Sequence, residues 1–157
     1  MLVPDASPAA IARLEDTSPK DRHVLAAAAA AGAHLVVTRN VADFGRHDLQ
    51  QLAVSAAHPD LFLPAVMTPD MYRATLEQMC QARSKPPNTP AALHAAVGAG
   101  HSRLFQAMTD VYPGVTADAR QDAPPKEIFR GDRCLKCGRQ LADPASLGLG
   151  VGPECRQ

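Results

Sequence analysis

Three cysteines near the C-terminus and two aspartates near the N-terminus are the residues whose types and spacing suit chemistry. Cys134 and Cys137 form a CxxC pair closed by Gly138, and Cys155 follows a Gly-Val-Gly-Pro-Glu turn. Thiolates so spaced suit tetrahedral Zn²⁺. The fourth ligand stays open between Asp143, Ser146, Glu154, the terminal carboxylate and a water; Cys80 would need the intervening chain to fold back. Asp21 lies in the first turn of an apolar helix, and Asp43 lies just past the strand that this helix runs back into. An antiparallel helix and strand set the helix N-terminus beside the strand C-terminus, so both carboxylates can face one cleft. Hard oxygens with room for water are what Mg²⁺ or Mn²⁺ requires. Such an ion activates water and steadies a phosphoryl oxygen. Each set also has a purely structural reading. Aspartate in a first helical turn is favoured by the helix dipole, Asn and Asp bond their own turns, and zinc can replace the core of a tail too small to have one.

The elements that must position these residues can be read from pattern. Ser7-Pro8 opens a short helix with Ile11 and Leu14 inward, and Ser18-Pro19 opens a stronger one that Gly32 stops. "HLVVT" is short, apolar and without alternation, as in a parallel sheet. "HDLQQLA" reads as a short helix, "VSAA" as a second strand, and "PDLFLPAVM" as an apolar docking segment. "TPDMYRATLEQMCQARS" is an amphipathic helix with Met71, Leu76 and Met79 inward, and Met67 and Met108 also read as core. One or two further helices follow, broken near Gly98 and Gly100, and a Pro, Asp and Ala-rich linker leads to the cysteine segment. Two short strands do not make an independently stable sheet. The sheet is therefore expected to be completed by another chain or by a larger fold. The expected boundaries are 1–17 as a leader helix, 18–111 as the main body, 112–128 as the linker and 129–157 as the cysteine module.

Composition narrows the function classes. The 157 residues hold 16 Lys plus Arg and 16 Asp plus Glu, so the net charge is zero. Zero charge argues against a nucleic-acid binder working by bulk positive charge. Arg130, Arg133, Lys136, Arg139 and Arg156 nonetheless make the cysteine segment locally basic. No run approaches a membrane span, and "MLVPDASPAA" lacks the pattern of a signal peptide. A CxxC pair near the end of such a chain suits a metal site in a reducing compartment, so a cytoplasmic location is expected.

The stretch "DRHVLAAAAAAGAHLVVTRNVADF" resembles the C-terminal half of PIN-domain ribonucleases, in the branch that reads D-R-H-V-L-A-A-A and then V-T-x-N-x-x-D-F. "PDLFL" and "QARSKPPNTPAALHAAV" are similar to the helical tail of that branch, so the likeness runs from roughly Ser18 to Asp110. The resemblance implies an α/β class: an incomplete PIN-like three-layer fold with few parallel strands, mostly helical. It implies Mg²⁺- or Mn²⁺-dependent hydrolysis of single-stranded RNA, often by a toxin paired with an antitoxin. Asp21 and Asp43 match two acidic positions, and Thr38 and Asn40 match the polar positions around the second. The family's other acidic residues would lie upstream of Asp21, where only 20 residues precede it. The chain is thus expected to hold half a PIN domain and half its site. Activity would wait on a partner, an antitoxin or a second PIN subunit, in a homo- or hetero-oligomer. An in-frame start upstream of Met1 is a further reading. The tail resembles a small family of bacterial and phage modules of the form C-x-x-C-G-R-x-L-x-D-P-x-S-x(3)-G-x-G-P-x-C, which implies a zinc-ribbon or knuckle-like unit. The alternative function is a non-catalytic protein- or nucleic-acid-binding module with a structural zinc.

Overall fold

A computed structural model describes residues 6–85, 89–118, 125 and 127–156. Four helices begin with the same device, a capping side chain followed by proline. They are α1 (Pro8–Ala12, capped by Ser7), α5 (Pro69–Ala82, by Thr68), α6 (Pro90–Gly100, by Thr89) and α8 (Pro144–Leu149, by Asp143). In each the side-chain oxygen accepts from an amide of the first turn, and proline sits where an N–H has no helical partner. Ser18-Pro19 is the exception. The Ser18 amide donates to the Asp43 carbonyl (2.8 Å), and residues 18–21 close a turn (Asp21 N to Ser18 O, 2.8 Å). Helix α2 therefore runs Arg22–Ala30 with Asp21 at its cap, not Ser18.

The remaining elements are β1 (Leu35–Val37), α3 (Arg46–Gln51), β2 (Ser55–Ala57), α4 (Pro59–Val66), α7 (Ser102–Ala107) and β3 (Phe129–Arg130). "PDLFLPAVM" is thus mostly helix, with Pro64 inside α4. The fold is mixed α/β with one three-stranded sheet in the order β1-β2-β3. β1 and β2 pair in parallel, Leu35 opposite Ser55 and Val37 opposite Ala57. β3 comes from the cysteine segment and pairs antiparallel with β2, Ala57 opposite Phe129. The chain thus supplies its own third strand, from far along the sequence. Among the described residues β1 keeps a free edge.

Two compact units result, residues 1–59 with 125–157, and residues 60–124. This division departs from the expected boundaries, because the cysteine segment belongs to the sheet and is not an appendage. The expected linker 112–128 departs too: the Asp118 amide donates to the Ala95 carbonyl (3.0 Å), and the His58 amide donates to the Ile128 carbonyl (2.8 Å). Residues 119–124 and 126 of that linker lie outside the described residues.

In the sheet-bearing unit, Leu14, Leu25, Val36, Val41, Phe44, Leu49 and Val54 form one core. Asp48 is buried within it, and its carboxylate accepts from the amides of Asp16 (3.1 Å) and Thr17 (2.7 Å). That bond fixes the loop leading to Asp21 against the start of α3.

The helical unit packs Tyr72, Leu76, Leu93, Leu104 and Met108 together, with Met67 and Cys80 half-buried beside them. The buried line of α5 is Tyr72, Leu76 and Cys80 at four-residue spacing, which leaves Met71 and Met79 at its margins. They are 53% and 41% exposed, so neither is core. The helix break falls at His101, just past the glycines expected to make it. His94 is fully buried, stacked on Phe105 with ring centres 4.4 Å apart, and its Nδ1 lies 2.9 Å from the Tyr72 hydroxyl.

Burial holds the His94 pKa below the ordinary imidazole value. The unfolded chain, at about 6.5, takes up the proton first. The contribution of His94 to stability is therefore complete above that pH and is lost as the pH falls below it. Circular dichroism melts at pH 7.5 and 5.0 are expected to show this unit less stable in acid, and His94→Phe is expected to flatten the dependence. A variant slope equal to wild type contradicts the assignment.

Candidate functional site

The turn at Val41–Asp43 and the turn at 18–21 are tied by the bond from Ser18 to Asp43. That bond brings the two acidic residues of the sequence motif together. Asp21 occupies the cap position of α2, yet its side chain makes no capping bond. Its Oδ2 is buried without a hydrogen-bond partner. The Lys20 ammonium lies 2.8 Å from Asp43 Oδ2 and 3.9 Å from Asp21 Oδ2. Both carboxylates thus converge on one positive charge, and that charge belongs to the chain itself. The hydrogen bond from Lys20 to Asp43 and the two anions raise the lysine pKa, so the ammonium form is favoured. Exposed pairs of this kind contribute little to stability.

Thr38 and Asn40 serve the turn. Thr38 Oγ1 accepts from the Asn40 amide (3.1 Å), and the Asn40 carbonyl accepts from the Asp43 amide (3.1 Å). A cleft of about 320 Å³ is lined by Asn40 and Asp43 and, from the far end of the chain, Glu127. Glu127 is held by Arg130, whose Nε lies 3.0 Å from Oε1, and by Arg46 at 3.4 Å. Arg130 also donates to the carbonyls of Ala42 (3.2 Å) and Phe44 (2.8 Å), bracing the turn that carries Asp43. Lys20, Glu127 and Arg130 were not foreseen from sequence. Lys20 carried only its place beside Asp21, and the other two lie more than 80 residues from the turn they touch. His23 is exposed on α2 and lines an apolar groove with Val24, Ala27 and Ala31.

The cysteine segment brings all three expected thiols together. The ligand atoms of Cys134, Cys137 and Cys155 lie within 4.8 Å of one another, the only such group of three His, Cys, Asp or Glu among the described residues. The knuckle is built by backbone. The Gly138 amide donates to the Cys134 carbonyl (3.0 Å), the Cys134 amide to the Arg139 carbonyl (2.9 Å), and Gly138 adopts φ +70°. Cys134 is fully buried, and burial alone would raise its pKa. Amides of Gly152, Cys137 and Lys136 aimed at the sulfur outweigh this and bring it down to about 7. Cys155 is pushed up to about 11, chiefly because its thiol hydrogen-bonds to Cys137, 3.5 Å away. Three converging thiols, one of them easily ionised, fit a thiophilic cation. Cys80 packs against the Tyr72 core of the helical unit, outside this group.

Residues 127–157 match a family described as one of unknown function, DUF6011. The chain also has a named relative. Over 83 residues the chain is 40% identical to "Putative ribonuclease VapC50" of Mycobacterium tuberculosis. That stretch is 50% of this chain and 48% of the relative, so the chain spans about half the length of the curated relative it matches. No solved structure matches. Among the described residues, no helix is long and apolar enough to cross a membrane.

Proposed function

We propose that the chain carries the metal-binding half of a PIN-type endoribonuclease of the toxin class, with an acidic centre that a partner completes. One observation carries this reading: Asp21, placed as a helix cap, does not cap, and holds a buried carboxylate oxygen without a hydrogen bond, facing the same Lys20 ammonium as Asp43. A cap aspartate with only a local role bonds its own first turn, and buried polar atoms without partners are rare. The sequence likeness to a protein named as a ribonuclease supports the same reading. Asp21 and Asp43 would hold Mg²⁺ or Mn²⁺, with Thr38 and Asn40 fixing the turn. A bound ion would polarise a phosphoryl oxygen and acidify water. Two carboxylates fit such an ion in chemistry but fall short in number. Lys20 must swing away first, which makes the chain alone weakly active.

The completing partner would be an antitoxin or a second PIN-type subunit in the cytoplasm. Two features support a partner, the free edge of β1 and the apolar groove on α2. An open strand edge is a template for pairing.

The test is Mn²⁺ binding by titration calorimetry, with cleavage of a quenched fluorescent single-stranded RNA followed alongside. Asp21→Asn and Asp43→Asn are each expected to weaken Mn²⁺ binding by roughly tenfold, about 1.4 kcal/mol, and to abolish cleavage. Lys20→Ala is expected to strengthen binding. Cleavage unchanged in both Asp variants removes the acidic pair from the mechanism. Binding without cleavage favours a second reading, a non-catalytic binding module with a structural zinc. Its supporting observation is that the cysteine cluster adjoins a strand of the sheet.

A further inference from the structure

The thiol cluster opens onto a pocket of about 310 Å³. Its wall includes all three cysteines together with Gln140, Leu141 and Pro153. Tetrahedral zinc needs a fourth donor, and structural sites close with one from the protein while reactive sites leave that position open. Each side-chain candidate in the segment is already engaged. Asp143 Oδ2 accepts from the Ser146 amide (2.8 Å) and hydroxyl (3.0 Å) as the cap of α8. The Ser146 hydroxyl in turn accepts from Arg156 (2.9 Å). Glu154 is paired with Arg139. His34 packs over Gly138, where an added Cβ would meet its Cγ at 2.9 Å, but its nitrogens stand outside the group of ligand atoms. The terminal carboxylate of Gln157 lies outside the described residues.

We propose that the fourth zinc position of this cluster is filled from outside the chain, by a thiol- or imidazole-bearing small molecule seated in the pocket. This rests on the zinc reading of the three cysteines. The volume falls at the lower end of small-molecule sites. Sulfur and imidazole nitrogen are the donors that a thiolate-bound zinc accepts most readily. Moving Asp143 to the metal would uncap α8, whereas Glu154 is tied only by an exposed pair with Arg139, so Glu154→Ala is the variant that decides between an internal and an incoming donor.

Cobalt substitution reads this directly. The full chain is loaded with Co²⁺ in place of zinc, and its visible ligand-field bands are recorded as imidazole or 2-mercaptoethanol is added. A saturable shift of the bands by either donor is expected, with Asp143→Ala, Glu154→Ala, His34→Ala and a chain extended beyond Gln157 all giving the unliganded wild-type spectrum. Bands that ignore both donors overturn the open position. A changed starting spectrum in one variant overturns it as well and identifies the internal ligand. Absence of any sulfur-to-cobalt charge-transfer band is a different failure, since it removes the metal reading itself.

Discussion

Cys134→Ser is expected to leave the purified chain without zinc and to loosen the edge of the sheet. Cys134 is the most buried of the three thiols and the one whose sulfur receives backbone amides. Serine keeps the volume but presents a hydroxyl that does not ionise near neutrality, so the charge that anchors the metal is lost. Structural zinc in small modules contributes on the order of 10–16 kcal/mol of apparent binding energy. Strand β3 ends four residues before Cys134 and has only two residues of its own to hold it on β2. Its attachment should therefore depend on the ordered knuckle that follows. Elemental analysis should fall from one zinc per chain to background. Hydrogen exchange should quicken at the His58 amide, which donates to Ile128. Chelation of the wild type should reproduce both effects. Acid should too, because protons compete with the metal for the thiolates. A serine variant that retains stoichiometric zinc would refute the assignment.

Gly131→Ala is expected to be strongly destabilising. Gly131 follows β3 with φ +130°, a conformation open to glycine and strained for other residues. A Cβ there would stand 2.3 Å from Ser55 Oγ and 2.8 Å from Ser55 Cα, inside the contact limit of atoms that cannot retreat. Ser55 is fully buried on β2, and its hydroxyl accepts from the Arg133 amide (2.8 Å). Strain and overlap together cost about 3 kcal/mol or more, on the order of a 10 °C fall in melting temperature. Gly148→Ala is the control. It lies within α8 with open space around its Cβ position, so it is expected to be neutral or stabilising by up to about 1 kcal/mol. Equal melting temperatures for the two variants would contradict the packing described here.

Local signals were legible where local physics decides. Proline after a capping side chain marked the start of α1, and the same signal failed at Ser18-Pro19, where the Ser18 amide donates to the Asp43 carbonyl and α2 starts at Arg22. The apolar run at Leu35–Val37 and the weak strand at Ser55–Ala57 were both readable, while what the structure sets between Asp21 and Asp43 is the Lys20 ammonium. The three thiols were readable from spacing alone. The third strand was not. "FR" has too little length to announce a strand, and its partner lies more than 70 residues earlier. Lys20 was hidden for another reason: an adjacent lysine is common, and only the turn at 18–21 aims it between the two acids. Met71 and Met79 misled because methionine suits a core wherever it falls, whereas the packed line of α5 was set by Tyr72.

The origin of β3 has a consequence for biosynthesis. The parallel pair β1-β2 leaves the ribosome long before the strand that covers its outer side, with the whole helical unit emerging in between. Contacts of such separation form slowly, because the loop between them must be closed before they reward it. The helical unit is free to fold during translation, while the nascent sheet waits for the last thirty or so residues. A premature stop or a proteolytic nick in that interval would strand a two-stranded sheet edge in the cell, a ready target for quality-control proteases and for self-association.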